Sequence, residues 1–478
     1  MIKLSALLVM GGICAGTVMY SKSNAQNAAN SPSPIPNPQA MLDTNGLNKQ
    51  IDKAGYMTFT TGLDNSGFLI DEQDSKAYLY LEAKTGKYEP VGKKRAPLNL
   101  TVVIDHSGSM SGDKILYAKK AAKYVVDKLS ETDFLSIVMY DSQVSVVWPS
   151  QAVKDKEKIK KLIDGITDNS GTNLGGGLLE GYVQTKKSFK ADYVNRVLLM
   201  SDGLANEGIT SQDALQKIAK ENCQEYKISL STFGIGLDFN ENLMTGIAEH
   251  GCGRYYFIDD PEHIPTIFEQ ELNGLLNLVA SDVKLKVKIP KGMNLEKVFG
   301  YKYDQKDDVV TVDFRDMFAN NTKAVLLKFT VLAGTNTVQE FSASLEYKSV
   351  TGDQKLDKNL TAINKLAPAE NKAAYDKSVC EKVKEQVILF ESNDLMEQSL
   401  IETDKGNYDR ARSLNTQNTN YLNSNAGYVN KSTELQKQKL YNDSYEKDLK
   451  NVETKGEQEK KSMQKKSKES NYKAKMKY

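Results

Sequence analysis

The stretch Leu98-Asn-Leu-Thr-Val-Val-Ile-Asp-His-Ser-Gly-Ser-Met110 (LNLTVVIDHSGSM) decides how this chain is read. Its first seven residues form an apolar, β-branched run of the kind that makes a strand buried on both faces. The run ends on Asp105, and hydroxyls follow at Ser107 and Ser109. Over residues 113–129, Ile115, Leu116, Ala118, Ala122, Val125, Val126 and Leu129 then recur at helical spacing. The alternation continues. Apolar runs predict strands at 134–140, 144–147, 197–200, 228–234 and 254–258. Helical patterns fall at 154–163, 174–188, 211–222, 240–250 and 261–278, with Asn240 placed to cap and Pro261 in a first turn. Strict alternation over 98–280 predicts an α/β fold, a doubly wound and mostly parallel sheet covered by helices on both faces.

Ligands of such sheets gather beyond the carboxyl ends of the strands, where strand order reverses. Three loops point to that edge. The first carries Asp105, Ser107 and Ser109, the second (Ser170–Asn173) carries Thr172, and the third (Met200–Gly203) carries Asp202. Two carboxylates and three hydroxyls are hard oxygen donors. They suit Mg²⁺ or Mn²⁺, fit Ca²⁺ less well and do not suit zinc or copper. Asp105 and Ser109 could instead cap the following helix, but capping does not need three loops to converge.

This donor set, each member at the end of its expected element, resembles the metal-ion-dependent adhesion site of von Willebrand factor A domains. The resemblance covers about residues 98–280. It implies that Asp105, Ser107, Ser109, Thr172 and Asp202 hold the cation, Thr172 and Asp202 directly or through water. It also implies that an acidic side chain of a protein partner fills an open coordination position. His106, Gly171, Asn173 and Gly203 are then rim residues in reach of the partner. Without metal, Asp105 and Asp202 face each other as like charges, so Asp202→Asn is expected to relieve repulsion and stabilise the metal-free protein slightly.

Rival chemistries fit poorly. Asp105-His106-Ser107 contains triad residue types, but neighbours on one loop cannot form the spatial nucleophile–base–orienter chain. Ser111-Gly-Asp-Lys114 and Lys84-Thr85-Gly86 match strings of penicillin-binding enzymes in the wrong order. Gly175-Gly176-Gly177 lacks the Lys and Ser/Thr of a phosphate loop and more simply allows close packing beside the metal loops. No catalytic set is found, and no small-molecule substrate is expected.

The flanks read differently. Lys3 and the apolar run to Met19, followed by Ser23-Asn24-Ala25, form a secretory signal over 1–25; a lipidated Cys14 or an uncleaved anchor fits less well. Residues 26–50 are a Pro-containing linker. Period-two alternation at 283–289, 309–314, 324–332 and 340–347 predicts a small antiparallel β-sandwich over 281–360. Residues 51–97, with a strand at 77–82, join it from the other side of the α/β domain. Residues 366–478 read as helical, with one tetratricopeptide-like hairpin. The Lys-rich tail at 460–477 has a net charge of +7 and reads as a solvated end or a contact for an acidic surface or polymer.

Over 478 residues, 63 Lys+Arg offset 62 Asp+Glu, so nothing global favours nucleic acid as a partner. Beyond the signal remain Cys223, Cys252 and Cys380, an odd number that excludes a disulfide scaffold. Cys223 ends a helix and Cys252 starts a strand; a disulfide between them and a pair of buried thiols are both open. His250 and His263 read as structural and Trp148 as packing. The whole reads as a secreted or periplasmic, bacterial-looking protein that binds or adheres through a cation. The alternative is an envelope scaffold docking mainly through its C-terminal helices.

Overall fold

The structure is a computed structural model that describes residues 41–42, 47–51, 55–70, 75–88, 95–350 and 356–476. The expected signal and the proline stretch at 31–38 lie outside them. The central sheet has the strand order Cys252–Ile258, Ser229–Ile235, Val194–Ser201, Leu98–Asp105, Phe134–Tyr140, Val144–Ala152. All neighbours pair in parallel except the last two, which are antiparallel. Strand order therefore reverses between Leu98–Asp105 and Val194–Ser201, and Asp105 and Asp202 stand at the carboxyl ends of the two strands flanking that point.

Side-chain alternation fills both faces. Leu100, Val102 and Ile104 pack with Ile115, Ala118 and Val125 of the helix Asp113–Lys128 and with Phe268 of the helix Ile264–Leu276. Val103 faces the other way, toward Leu174 and Leu178 of the helix Leu174–Lys187 and Ile247 of the helix Glu241–His250. Trp148 belongs to the first cluster and packs against it. Cys223 and Cys252 are joined by a disulfide, and Cys380 is a buried thiol.

Two further six-stranded sheets face each other over a second core that includes Phe59, Leu79, Leu285, Val312, Leu327 and Phe341. Lys76–Thr85 pairs antiparallel with Thr322–Val331 along its length, so the α/β unit is inserted between two sandwich strands. The sandwich is larger than its sequence pattern. The linker assigned to 26–50 gives way to strands at Met41–Leu42 and Asn48–Ile51, the first paired with the second and the second with Met57–Leu63. The sandwich does not stop at 360, because the strand Leu356–Pro368 runs on beside Gln339–Ser349. Helix begins at Lys372, not at 366. Leu360, Ala362 and Leu366 are the buried face of that last strand, too sparse an alternation to read against its polar neighbours.

The helices Glu381–Asp404, Tyr408–Ser424, Thr433–Lys450 and Glu457–Met476 follow. The last helix, Glu457–Met476, is docked on the rest of the chain through its lysines. Lys461 pairs with Asp238, Lys466 with Asp259, Lys468 with Glu241 and Asp404, and Lys475 with Glu249 and Glu397. Lys465 donates to the Phe239 carbonyl at 3.0 Å and lies over the Phe239 ring. The acids that meet this helix belong to the chain itself, mostly to the α/β unit, which corrects its reading as a solvated end. Among the described residues, no helix is long and apolar enough to cross a membrane.

Candidate metal centre

The loop after Leu98–Asp105 makes a single 3₁₀ turn, Gly108–Met110, and the helix Asp113–Lys128 starts only after Gly112 at φ 74°. Neither turn nor helix has a side-chain cap. Asp105 and Ser109 are thus free of the capping role that would have explained them away. Asp105 is buried; its Oδ1 accepts from the Ser107 amide at 2.9 Å, its Oδ2 from Ser201 Oγ at 2.9 Å and from the Tyr140 hydroxyl at 3.2 Å. Burial pushes its carboxyl above the ordinary value against the pull of the Ser107 hydrogen bonds, and the nearby Asp202 charge pushes the same way.

From there the polar groups run in a chain. Ser107 Oγ lies 3.1 Å from Ser109 Oγ, and Ser109 Oγ donates to Asp202 Oδ1 at 2.7 Å. Asp202 Oδ2 accepts from Lys114 Nζ at 2.5 Å, and Lys114 also donates to the Ser109 carbonyl at 3.1 Å. The Thr172 loop is tied in by backbone: the Thr172 amide donates to Asn206 Oδ1 at 3.0 Å and its carbonyl accepts from the Asn206 amide at 3.2 Å. A Cβ on Gly203 would stand 3.5 Å from Thr172 Oγ1 and 3.6 Å from Ser109 Oγ, so hydroxyls of two loops approach one point beside Asp202.

The structure brings Asp105, Ser107, Ser109, Thr172 and Asp202 to one edge of the sheet. As donors they fit a hard divalent cation: two buried carboxylates, three hydroxyls, and one carboxylate oxygen already facing a positive group. Among the described residues, no group of three or more His, Cys, Asp or Glu could hold a metal, so any cation site here depends on the hydroxyls.

The rim differs from expectation at two places. His106 is buried, its Nδ1 2.8 Å from the Thr167 carbonyl and its Nε2 3.7 Å from Asp141 Oδ2, so it braces the loop below the site and is withdrawn from a partner. Asn173 Oδ1 accepts the Gly176 amide at 2.9 Å and caps the helix Leu174–Lys187. Gly171, at φ 83°, and Gly203 remain half-buried on the rim. The glycine run has a packing role, because a Cβ on Gly177 would come within 2.5 Å of the Tyr140 ring, whose hydroxyl serves Asp105.

Sequence reasoning missed Lys114, Tyr140 and Ser201. Lys114 had a signal. It is the second residue of its helix, where the helix dipole disfavours a cation unless an acid is close.

Residues 99–270 match the von Willebrand factor type A domain family. The central α/β unit is a domain of that type. The Escherichia coli (strain K12) protein YfbK is 34% identical over 210 residues, which is 43% of this chain and 36% of YfbK. Rattus norvegicus inter-alpha-trypsin inhibitor heavy chain H3 is 27% identical over 253 residues, half of this chain and 28% of that one. The chain thus spans about a third of the length of these curated relatives. Likeness of fold extends further. A von Willebrand factor type A protein from Catenulispora acidiphila superposes with a TM-score of 0.62 at 16% identity, over 81% of this chain and 91% of its own. The ArnB paralog VWA2 from Sulfolobus acidocaldarius gives 0.55 at 16% identity, over 86% and 98%.

Proposed function

We propose that the chain is a protein-binding or adhesion module of a secreted or envelope protein, and that its grip depends on Mg²⁺ or Mn²⁺ held by Asp105, Ser107, Ser109, Thr172 and Asp202. The observation that carries this reading is the meeting of these donors, from three loops, at the reversal of strand order. When bound, a divalent cation of this class supplies a Lewis-acidic position open to a partner's carboxylate. The chain's own residues prepare for it. Tyr140 and Ser201 fix Asp105 Oδ2, Ser109 orients Asp202, and Asn206 holds the Thr172 loop against Gly203. No bond-making step is assigned, so the reading is of a binding protein and not an enzyme.

Docking chiefly through the C-terminal helices draws no support from Lys461, Lys468 and Lys475 of the Lys-rich helix, which are paired inside the chain. Export rests on the N-terminal signal pattern, and N-terminal sequencing of the protein recovered from outside the cytoplasm tests it. For binding, the test is capture of one defined partner by wild type and by Asp105→Ala, each with Mg²⁺ and with EDTA. Capture lost in the variant and in EDTA, with an unchanged circular dichroism spectrum, supports the reading. Capture that survives both overturns it.

A further inference from the structure

We propose that Lys114 is a tethered cation that neutralises Asp202 in the metal-free protein and that a divalent ion must displace before Asp202 can serve it. The inference rests on the reading of this edge as a divalent-cation site. Three observations carry it.

The first is contact. Lys114 Nζ sits 2.5 Å from Asp202 Oδ2 and 3.1 Å from the Ser109 carbonyl, so one ammonium touches two of the loops that supply the donors. Among the described residues, Lys114 is the ion-pair partner of Asp202, whose other oxygen is occupied by the neutral Ser109 hydroxyl. The second is the path of the side chain. A Cβ on Gly236, which follows the strand Ser229–Ile235 at φ 73°, would lie 3.5 Å from Lys114 Cε and 3.6 Å from Nζ. The stem therefore crosses from its helix over the ends of neighbouring strands and rests on a residue without a side chain. The third is exposure. Asp202 is fully buried, whereas the Lys114 side chain keeps 26% of its surface, so the ammonium can withdraw into water while the carboxylate cannot.

A tethered ammonium is always present at its site, and an incoming Mg²⁺ would compete with it for the same carboxylate. It lowers the affinity for the divalent ion and protects the metal-free loops from an uncompensated buried charge, which would otherwise be costly. Lys114→Met keeps the length and the apolar stem and removes the charge. Two opposite changes follow from one substitution. Metal-free protein should melt earlier, and Mg²⁺ should bind more tightly, by about tenfold, equivalent to about 1.4 kcal/mol.

The test is calorimetric titration of full-length wild type and Lys114→Met with MgCl₂, with melting of both in EDTA. Lys114→Gln repeats the comparison if the methionine variant does not fold. Tighter Mg²⁺ binding together with a lower metal-free melting temperature supports the displacement. Equal or weaker binding by the variants, with wild type still binding Mg²⁺, overturns the role of Lys114 and leaves the cation site standing. Absence of Mg²⁺ binding in wild type overturns both.

Discussion

The strand Val194–Ser201 carries a charge at each end, and the two are treated in opposite ways. Near its start, Arg196 is 2% exposed, donating to Glu271 Oε1 at 2.8 Å and Ser231 Oγ at 2.9 Å, with Asp316 at 3.4 Å. Ser231 and Tyr256 also bond Glu271, and the Arg196 and Arg254 charges hold its carboxyl below the ordinary value despite burial. Just past the strand's other end, Asp202 is as deeply buried, but its counter-ion is a lysine reaching in from the edge of solvent. Arg196 has rigid internal partners drawn from several elements. Asp202 has one charged partner that can leave. A buried charge enclosed by its partners is a structural joint, here between the α/β domain and the sandwich. A buried charge with a removable partner is held ready for something else.

The contrast breaks first at the closed end. Glu271→Gln leaves Arg196 short of its main counter-charge, and removing one member of a buried pair costs about 3–5 kcal/mol. Urea unfolding should register that loss, and a change below about 1 kcal/mol, as for an exposed pair, would remove the distinction between the ends. The Cys223–Cys252 disulfide lies at the same end of the sheet, tying the close of the helix Gln212–Gln224 to the start of the strand Cys252–Ile258 across a separation of 29 residues. Closing a loop of this size constrains the unfolded chain by about 3–4 kcal/mol. Reduction, or paired replacement by alanine, should lower stability by up to that amount. Measured Mg²⁺ affinity should stay unchanged, since the site occupies the opposite end.

The open end was legible in the sequence and the closed end was not, for a physical reason. Asp105, Ser107 and Ser109 follow an apolar run directly, and Thr172 and Asp202 stand next to elements whose periodicity is strong, so local pattern was enough to put five donors on one edge. Arg196 interrupts an apolar strand, so the apolar pattern starts only at Val197; nothing local announces that Glu271, on a helix far along the chain, neutralises it. The sandwich failed in a similar way. Met57–Leu63 and Leu356–Pro368 show their alternation weakly, and they become strands by antiparallel pairing with Lys76–Thr85 and Gln339–Ser349, whose own apolar faces line the second core. Composition misled at the Lys-rich end, where charge count says solvated but the acids that receive it come from remote segments. The contact of Lys114 with Asp202 depends on how the helix sits against the sheet, which local pattern does not show.

Smaller than these losses is the gain expected from metal. A ligand that binds only the folded state adds RT ln(1 + [L]/Kd), about 2.7 kcal/mol at a hundredfold excess over Kd. Scanning calorimetry should show MgCl₂ raising the melting temperature of wild type. Asp105→Ala should abolish the rise. A rise of equal size in Glu271→Gln would sharpen the comparison, because it would show a weakened closed end leaving the open end intact. A rise that persists in Asp105→Ala would place the cation elsewhere.

The smallest effect concerns Asp202 without metal, and its sign is the informative part. If Asp105 were the only charge near it, Asp202→Asn would remove a repulsion and stabilise the metal-free protein, as the sequence alone predicts. Lys114 changes the balance. Its ammonium is 2.5 Å from Asp202 Oδ2, whereas the path from Asp202 to Asp105 runs through the Ser109 and Ser107 hydroxyls. Coulomb energy falls with distance, so the direct contact outweighs the repulsion. Asparagine can still accept from Ser109, but it leaves Lys114 unpaired. Because Lys114 is partly exposed and can turn to water, the cost should be about 1 kcal/mol, well short of the loss at Glu271. The metal-free melting temperature of Asp202→Asn should therefore fall slightly, and the Mg²⁺-dependent rise should shrink. A metal-free melting temperature that rises instead would mean that the two carboxylates dominate and that Lys114 does not neutralise Asp202.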